Sequence, residues 1–315
     1  MASLPAAPPF SESLFGREDL AEKFWDAVQD GRRYFGLEGP TGVGKSAFLE
    51  AAGSALQAAH YSVARLNAAE QASEEMAIAA IYSQLKDLAQ DPEAVILTLR
   101  DQFLRNAPKS LRKVAAAAVA DLMKLVAEKA EKTIEAFQEI AGGEEFGEGA
   151  ADQLEALGES NRRLFLTKFL QSLCDARNKV AISIDNLDLV DLTPFMRYLL
   201  SLQIDVTILG AHNTERSDNA SWDQIRADIE ASAGLVWTVE ALERPAVAAW
   251  AEAALSAKPS DEFVDGVMAA THGRAHDIQM ILEAERDGTA WPPQRDFRRY
   301  YALNRLRKIP LTYLQ

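Results

Sequence analysis

The sequence predicts an α/β fold: a mainly parallel sheet of five strands sandwiched by helices, with a helical insertion and a C-terminal all-helical lid. Three observations predict it. Short apolar runs alternate with stretches of helical spacing between residues 33 and 239, and that alternation builds parallel sheets. A glycine-rich loop joins the first apolar run to the helix after it. From Pro245 onward only helical patterns occur.

Taken in order, Glu18 to Val28 places Leu20, Phe24 and Val28 on one helical face. Arg33 to Leu37 is a short apolar strand, and Ser46 to Ala59 a helix of small and apolar residues. Ser62 to Leu66 reads as the second strand and Glu74 to Ala89 as an amphipathic helix. Residues 91–141 are almost wholly helical in pattern. Leu111, Val114, Ala118, Leu122, Leu125, Ile134 and Phe137 form a broken apolar stripe there, with Lys124, Glu128, Lys132 and Glu135 on the polar side. The acidic glycine-rich run from Gly142 to Gly149 is a break, and Asp152 to Ala176 returns to helix. Lys179 to Asp185 reads as a buried strand, Pro194 to Leu202 as a helix, and Val206 to Gly210 as a strand. Trp222 to Ala233 is the next helix, and Leu235 to Val239 the fifth strand. The helices about 245–256, 261–271, 275–286 and 295–307 complete the chain. The organisation expected is a core over 1–243, interrupted by an insertion over about 91–158, and a lid over 244–315.

A chain of 315 residues with 48% hydrophobic and 25% charged residues can bury a substantial core. Its net charge of −14 disfavours nucleic acid and anionic lipid as partners. Cys174 is the only cysteine, which excludes an internal disulfide framework and a cysteine metal site. His60, His212, His272 and His276 lack metal-site spacing. The N-terminus has neither the basic nor the apolar region of a secretory signal. The run from Val114 to Ala120 is far too short to span a bilayer. A cytoplasmic location is expected.

The chemistry lies in Gly39-Pro40-Thr41-Gly42-Val43-Gly44-Lys45-Ser46, a complete Walker A pattern between a strand and a helix. A triphosphate needs several backbone N–H donors pointing into one concavity, and glycines at 39, 42 and 44 permit that. The helix that starts near Lys45 aims its positive end at the phosphates. Lys45 is expected on the β- and γ-phosphates and the Ser46 hydroxyl on Mg²⁺. Asp185 ends an apolar strand 140 residues after Lys45 and is the acidic partner expected to hold Mg²⁺ through water. The next residue is Asn186, which cannot accept a proton from an attacking water; Asp188 is the nearest carboxylate. Binding is thus better supported than hydrolysis.

Three more segments bear on the class: Phe15-Gly16-Arg17-Glu18-Asp19-Leu20, Asp185-Asn186-Leu187-Asp188, and Ile208-Leu209-Gly210-Ala211-His212-Asn213. With the glycine-rich loop they resemble the AAA+ superfamily of P-loop ATPases, nearest its signal-transduction (STAND) and origin-recognition-like branches. The resemblance covers about residues 12–290 without 91–158. It implies a sheet in the order 5-1-4-3-2, with ATP and Mg²⁺ as cofactors. It puts Phe15, Gly16 and Arg17 near the adenine, and Gly39 to Ser46 with Ala47 around the phosphates. It implies γ-phosphate sensing by Asn213, with His212 as the alternative, and a lid contact from Arg274 or His276 in Thr271-His272-Gly273-Arg274-Ala275-His276-Asp277. That segment departs from the family's patterns: His276 stands where one expects arginine and Ala275 where the other expects proline. An arginine finger given to a neighbouring copy would be Arg216 or Arg226, each also readable as a surface arginine. The family usually continues into a further domain, so a minimal version or part of a longer chain is implied.

The function expected is a nucleotide-dependent switch that controls self-assembly or engagement of an effector through the helices of 91–158, in prokaryotic signalling or defence by analogy of fold. Those helices read equally as a pair packed on the core. Two alternatives stay open. One is a DNA-associated loader, supported by the basic and aromatic run from Arg295 to Lys308. The other is a catalytically weak nucleotide-binding scaffold.

Overall fold

A computed structural model of the chain describes residues 10, 14–71, 73–88, 159–176, 178–215 and 220–291. The insertion patterns at 91–158, the basic run from Arg295 to Lys308, and Arg216 lie outside these residues.

Helix α1 (Glu18–Gln29) leads into β1 (Tyr34–Gly39), the glycine-rich loop and α2 (Lys45–Ala58). Then come β2 (Tyr61–Asn67), α3 (Glu74–Leu85) with a short 3₁₀ turn to Leu88, α4 (Glu159–Asp175) and β3 (Lys179–Asp185). The core closes with α5 (Thr193–Ser201), β4 (Val206–Asn213), α6 (Ala220–Ala231) and β5 (Leu235–Thr238). Helices α7 (Arg244–Leu255), α8 (Asp261–Thr271) and α9 (Ala275–Arg286) form the lid.

The five strands stand in the order β2-β3-β4-β1-β5, and every pairing is parallel. Read from the other edge this is the expected 5-1-4-3-2. The period of two along each strand divides the core. Phe35 and Leu37 of β1, Ala181 of β3, and Leu209 and Ala211 of β4 join α1 and α2 on one face. Tyr34, Ile182, Ile184, Val206 and Ile208 join α3, α4, α5 and α6 on the other. On the first face Phe24 of α1 meets Phe35 and Phe48 edge-on, with ring centroids 5.0 and 6.0 Å away. The lid has its own core of Leu242, Val247, Ala251, Val264, Val267, Ile278, Ile281 and Leu282.

Strand β4 runs on to Asn213, three residues past the expected end at Gly210. Its register with β1 continues through Gly39↔Asn213, so backbone pairing carries a polar segment that hydropathy alone ends early. Helix α3 stops short of Ala89 and tightens into the 3₁₀ turn at Lys86–Leu88.

Candidate nucleotide site

Strands β1, β3 and β4 all end at one edge of the sheet, and their last residues meet there. The glycine-rich loop leaves β1 with Gly39, Gly42 and Gly44 at φ of 152°, 82° and 105°. A Cβ on Gly39 would lie 2.3 Å from the Val239 carbonyl oxygen, so only glycine fits. Gly44 is the N-cap of α2 and offers no side chain to the first-turn amides. Those N–H groups and the positive helix end face the cavity, an arrangement suited to phosphate.

The cavity, about 1350 Å³, opens between core and lid. Thr41, Gly42, Val43, Gly44, Lys45, Ser46 and Ala47 line it from the loop, and Asp185, Asp188 and Asn213 from the strand ends. Phe15, Arg17 and His276 complete the predicted residues on its wall. Gly39 and Pro40 lie behind it, where their carbonyls each accept a bond from Lys45 Nζ at 2.7 Å. Burial pushes the Lys45 ammonium below the usual lysine range, against the upward pull of Asp188, Asp185 and Glu215. A buried cation already facing three carboxylates is suited to a polyanion with its metal. Ser46 and Asp185 share the same wall, as a Mg²⁺ site on nucleotide phosphates requires. Among the described residues no cluster of three or more His, Cys, Asp or Glu could hold a metal without such phosphates.

Asn186 has φ of 58°, a left-handed conformation that Asn tolerates. Its amide Nδ2 donates to Asn67 Oδ1 at 3.0 Å, so the side chain turns to the end of β2. Asn213 Nδ2 donates to Thr41 Oγ1 at 2.7 Å, which places the last residue of β4 on the loop. His212 is different. It points to the opposite face and stacks on Trp222 with centroids 4.9 Å apart, so the alternation of β4 removes it from the cavity. Arg226 is held in its own chain, 2.9 Å from Glu38 and 3.1 Å from Glu230.

The Phe15-Gly16-Arg17 segment is wedged between loop and lid. Arg17 Nη2 donates to the Val43 carbonyl at 3.0 Å and also to that of Glu240. Its burial depresses the guanidinium pKa, opposed by Glu18 and Glu240. Phe15 stacks on Trp250 of α7 at 5.9 Å, and a Cβ on Gly16 would lie 2.5 Å from Ala246 Cβ. Across the cavity the backbone N–H of His276 donates to the Gly42 carbonyl at 3.0 Å. Arg274 lies outside the cavity wall, with Nη2 2.7 Å from Glu215 Oε1.

Trp250, Glu215 and Asn67 also reach the site or its borders, and none belongs to a motif of the sequence. Trp250 carries no sequence signal, because its partner Phe15 lies 235 residues away. Glu215 could have been found as a carboxylate just beyond a strand end at the switch point of a parallel sheet, where ligands bind.

A parallel sheet in this order, with the glycine-rich loop at the end of β1 and an acidic residue ending β3, is a P-loop α/β fold with the sheet order that the resemblance implies. No family model and no curated protein matches the sequence. Among solved structures the chain is similar to Cdc6p from Pyrobaculum aerophilum, with 12% identity, a TM-score of 0.49, and coverage of 90% of this chain and 65% of that one. It is also similar to a STAND protein with a tetratricopeptide repeat sensor from Pyrococcus horikoshii, with 11% identity, a TM-score of 0.45, and coverage of 89% and 31%. ORC2 from Aeropyrum pernix, in ADPNP–ADP complexes, is 14% identical with a TM-score of 0.45 over 90% and 66% of the two chains. The chain thus spans about two thirds or less of these proteins, and its fold is defined by its own sheet order and loop.

Proposed function

We propose that the chain is an ATP- and Mg²⁺-binding switch whose nucleotide state controls assembly with itself or engagement of a protein partner. One observation carries this reading: the lid sits directly on the phosphate loop, through His276 N–H and the Gly42 carbonyl at 3.0 Å. A ligand that fills the loop must act on both layers, and a differential contact of that kind shifts a conformational equilibrium. Lys45 would neutralise the β- and γ-phosphates, while Ser46 and Asp185 would hold the metal. Phe15, Gly16 and Arg17 would border the base, and Asn213 the terminal phosphate. Bound Mg²⁺ would supply charge neutralisation across the phosphates. Asp188, on the same wall, is the carboxylate we assign to the attacking water.

Sizing the purified protein with ADP, ATP and a non-hydrolysable analogue, while phosphate release is followed, tests the switch. The expected outcome is a nucleotide-dependent change in size or partner binding, abolished in Lys45→Ala together with at least tenfold weaker ATP binding, the scale of a lost charge-assisted contact. A nucleotide-independent monomer with no phosphate release would sink it.

A second reading is favoured by Asn186, whose side chain is committed to Asn67. Under it the chain binds ATP but turns it over too slowly to matter, as a scaffold. Saturable ATP binding with no measurable release would select that reading.

A further inference from the structure

Glu215 belongs to none of the sequence motifs, yet it joins three parts of the site. Its N–H donates to Asn213 Oδ1 at 3.1 Å, just past the end of β4. One carboxylate oxygen accepts the Thr41 N–H of the loop at 3.1 Å. The other accepts Arg274 Nη2 of the lid at 2.7 Å. Its charge also acts on Lys45. A protein carboxylate therefore engages a loop amide and a lid cation, the same kinds of donor that a terminal phosphate takes.

Position decides which phosphate would compete with it. Thr41 lies at the end of the loop away from α2, next to Asn213, whereas the first-turn amides of α2 lie at the other end. The inner phosphates belong to the helix end. A third phosphate continuing past Lys45 would approach Thr41, since both line the cavity. Two anions a few ångströms apart repel strongly in a partly enclosed site. Glu215 is free to yield, because its side chain is 42% exposed and leads outward to water. Arg274, 34% exposed and the N-cap residue of α9, would be released as Glu215 yields.

We propose that Glu215 is a specificity-determining residue that distinguishes a nucleoside triphosphate from a diphosphate. The third phosphate must displace its carboxylate from Thr41, which lines the cavity, and draw in Arg274 from just outside the wall; a diphosphate leaves the Glu215–Arg274 pair in place. The pair joins core to lid, so its exchange is the event by which the third phosphate moves α9. This inference rests on the nucleotide-binding reading above.

The test is calorimetric titration of the full chain and Glu215→Gln with Mg·ATP and Mg·ADP. Gln keeps an acceptor for one of the two donors, Thr41 or Arg274, turns an amide donor toward the other, and removes the charge. ATP affinity is expected to tighten by roughly tenfold, the scale of one charge-assisted contact, with ADP affinity changed by less than about threefold. Arg274→Met provides an independent arm: roughly tenfold weaker ATP binding with ADP unaffected, readable even if the first variant does not fold. Equal shifts for both nucleotides, or no shift in either, would overturn the assignment of Glu215 while leaving nucleotide binding intact. A wild-type chain that binds neither nucleotide would overturn the nucleotide-binding reading, and this inference with it.

Discussion

His276 shows how one side chain at the lid seam couples stability to pH. Burial holds its imidazole pKa below the ordinary value of 6.5, against the upward pull of Asp277 and Glu283. The unfolded chain therefore binds more protons than the folded chain in the window between the lowered folded value and the ordinary one. Folding stability must then rise with pH through that window and fall on acidification. Chemical denaturation of wild type and His276→Gln between about pH 5 and 8, the range in which histidine titrates, reads this directly. The variant should show a flatter pH dependence; identical slopes would show that His276 is not the titrating group. Asn186 illustrates the same scale from the side of chemistry. Its left-handed backbone turns its amide to Asn67, so the residue following Asp185 serves the end of β2 rather than a water.

At the level of elements, α3 and α4 are joined by charge as well as by apolar packing. Arg163 forks onto Glu74, with Nε to Oε1 and Nη2 to Oε2 both at 2.8 Å, and Arg162 pairs with Glu75 beside it. These side chains are largely buried, so removing one partner strands a carboxylate away from water. Arg163→Ala should lower stability by about 3 kcal/mol, the usual cost of breaking a buried pair. A melting temperature unchanged from wild type would contradict this. The seam between core and lid depends on Gly273, at φ of 75°. A Cβ there would lie 2.3 Å from the Leu242 carbonyl oxygen, while the Leu242 N–H donates to the Gly273 carbonyl at 2.7 Å. Gly273→Ala should cost about 2 kcal/mol through left-handed strain and the clash. Because α9 follows directly, limited proteolysis should then cut the lid faster than the core.

For the whole molecule, the decisive relation is between the insertion and the sheet. Glu74 at the start of α3 pairs with Arg163 near the start of α4, and Tyr82 farther along α3 packs on Phe169 farther along α4. The two helices run side by side in the same direction. The chain thus leaves at the far end of α3, at Leu88, and re-enters at the near end of α4, at Glu159. The distance to be covered is the length of α3 and its 3₁₀ turn plus the first turn of α4, roughly 28 Å. Replacing 91–158 with a linker of about twelve residues, which extended spans more than that distance, should preserve the melting transition and nucleotide binding. The same deletion should abolish partner or self-association if the insertion is the interaction arm. Association that survives the deletion would move the interface elsewhere.

Much of this architecture was legible in the sequence. The alternation of apolar runs and helical spacing follows directly from the two periodicities of backbone structure. The glycine-rich loop is legible because its pattern is local: eight consecutive residues carry the conformational freedom, the cation and the hydroxyl. Asp185 is nearly as legible, since it ends a buried strand. What the sequence could not determine is everything that depends on pairing across long separations. His212 and Asn213 are neighbours of equal polarity, and only the register of β4 on β1 sends one to Trp222 and the other to Thr41. Phe15 finds Trp250, and Glu215 finds Thr41 and Arg274, because the sheet order brings distant segments to one edge. Local propensities carry no information about such meetings. The tertiary structure decides them, through parallel pairing and the seating of the lid on the loop.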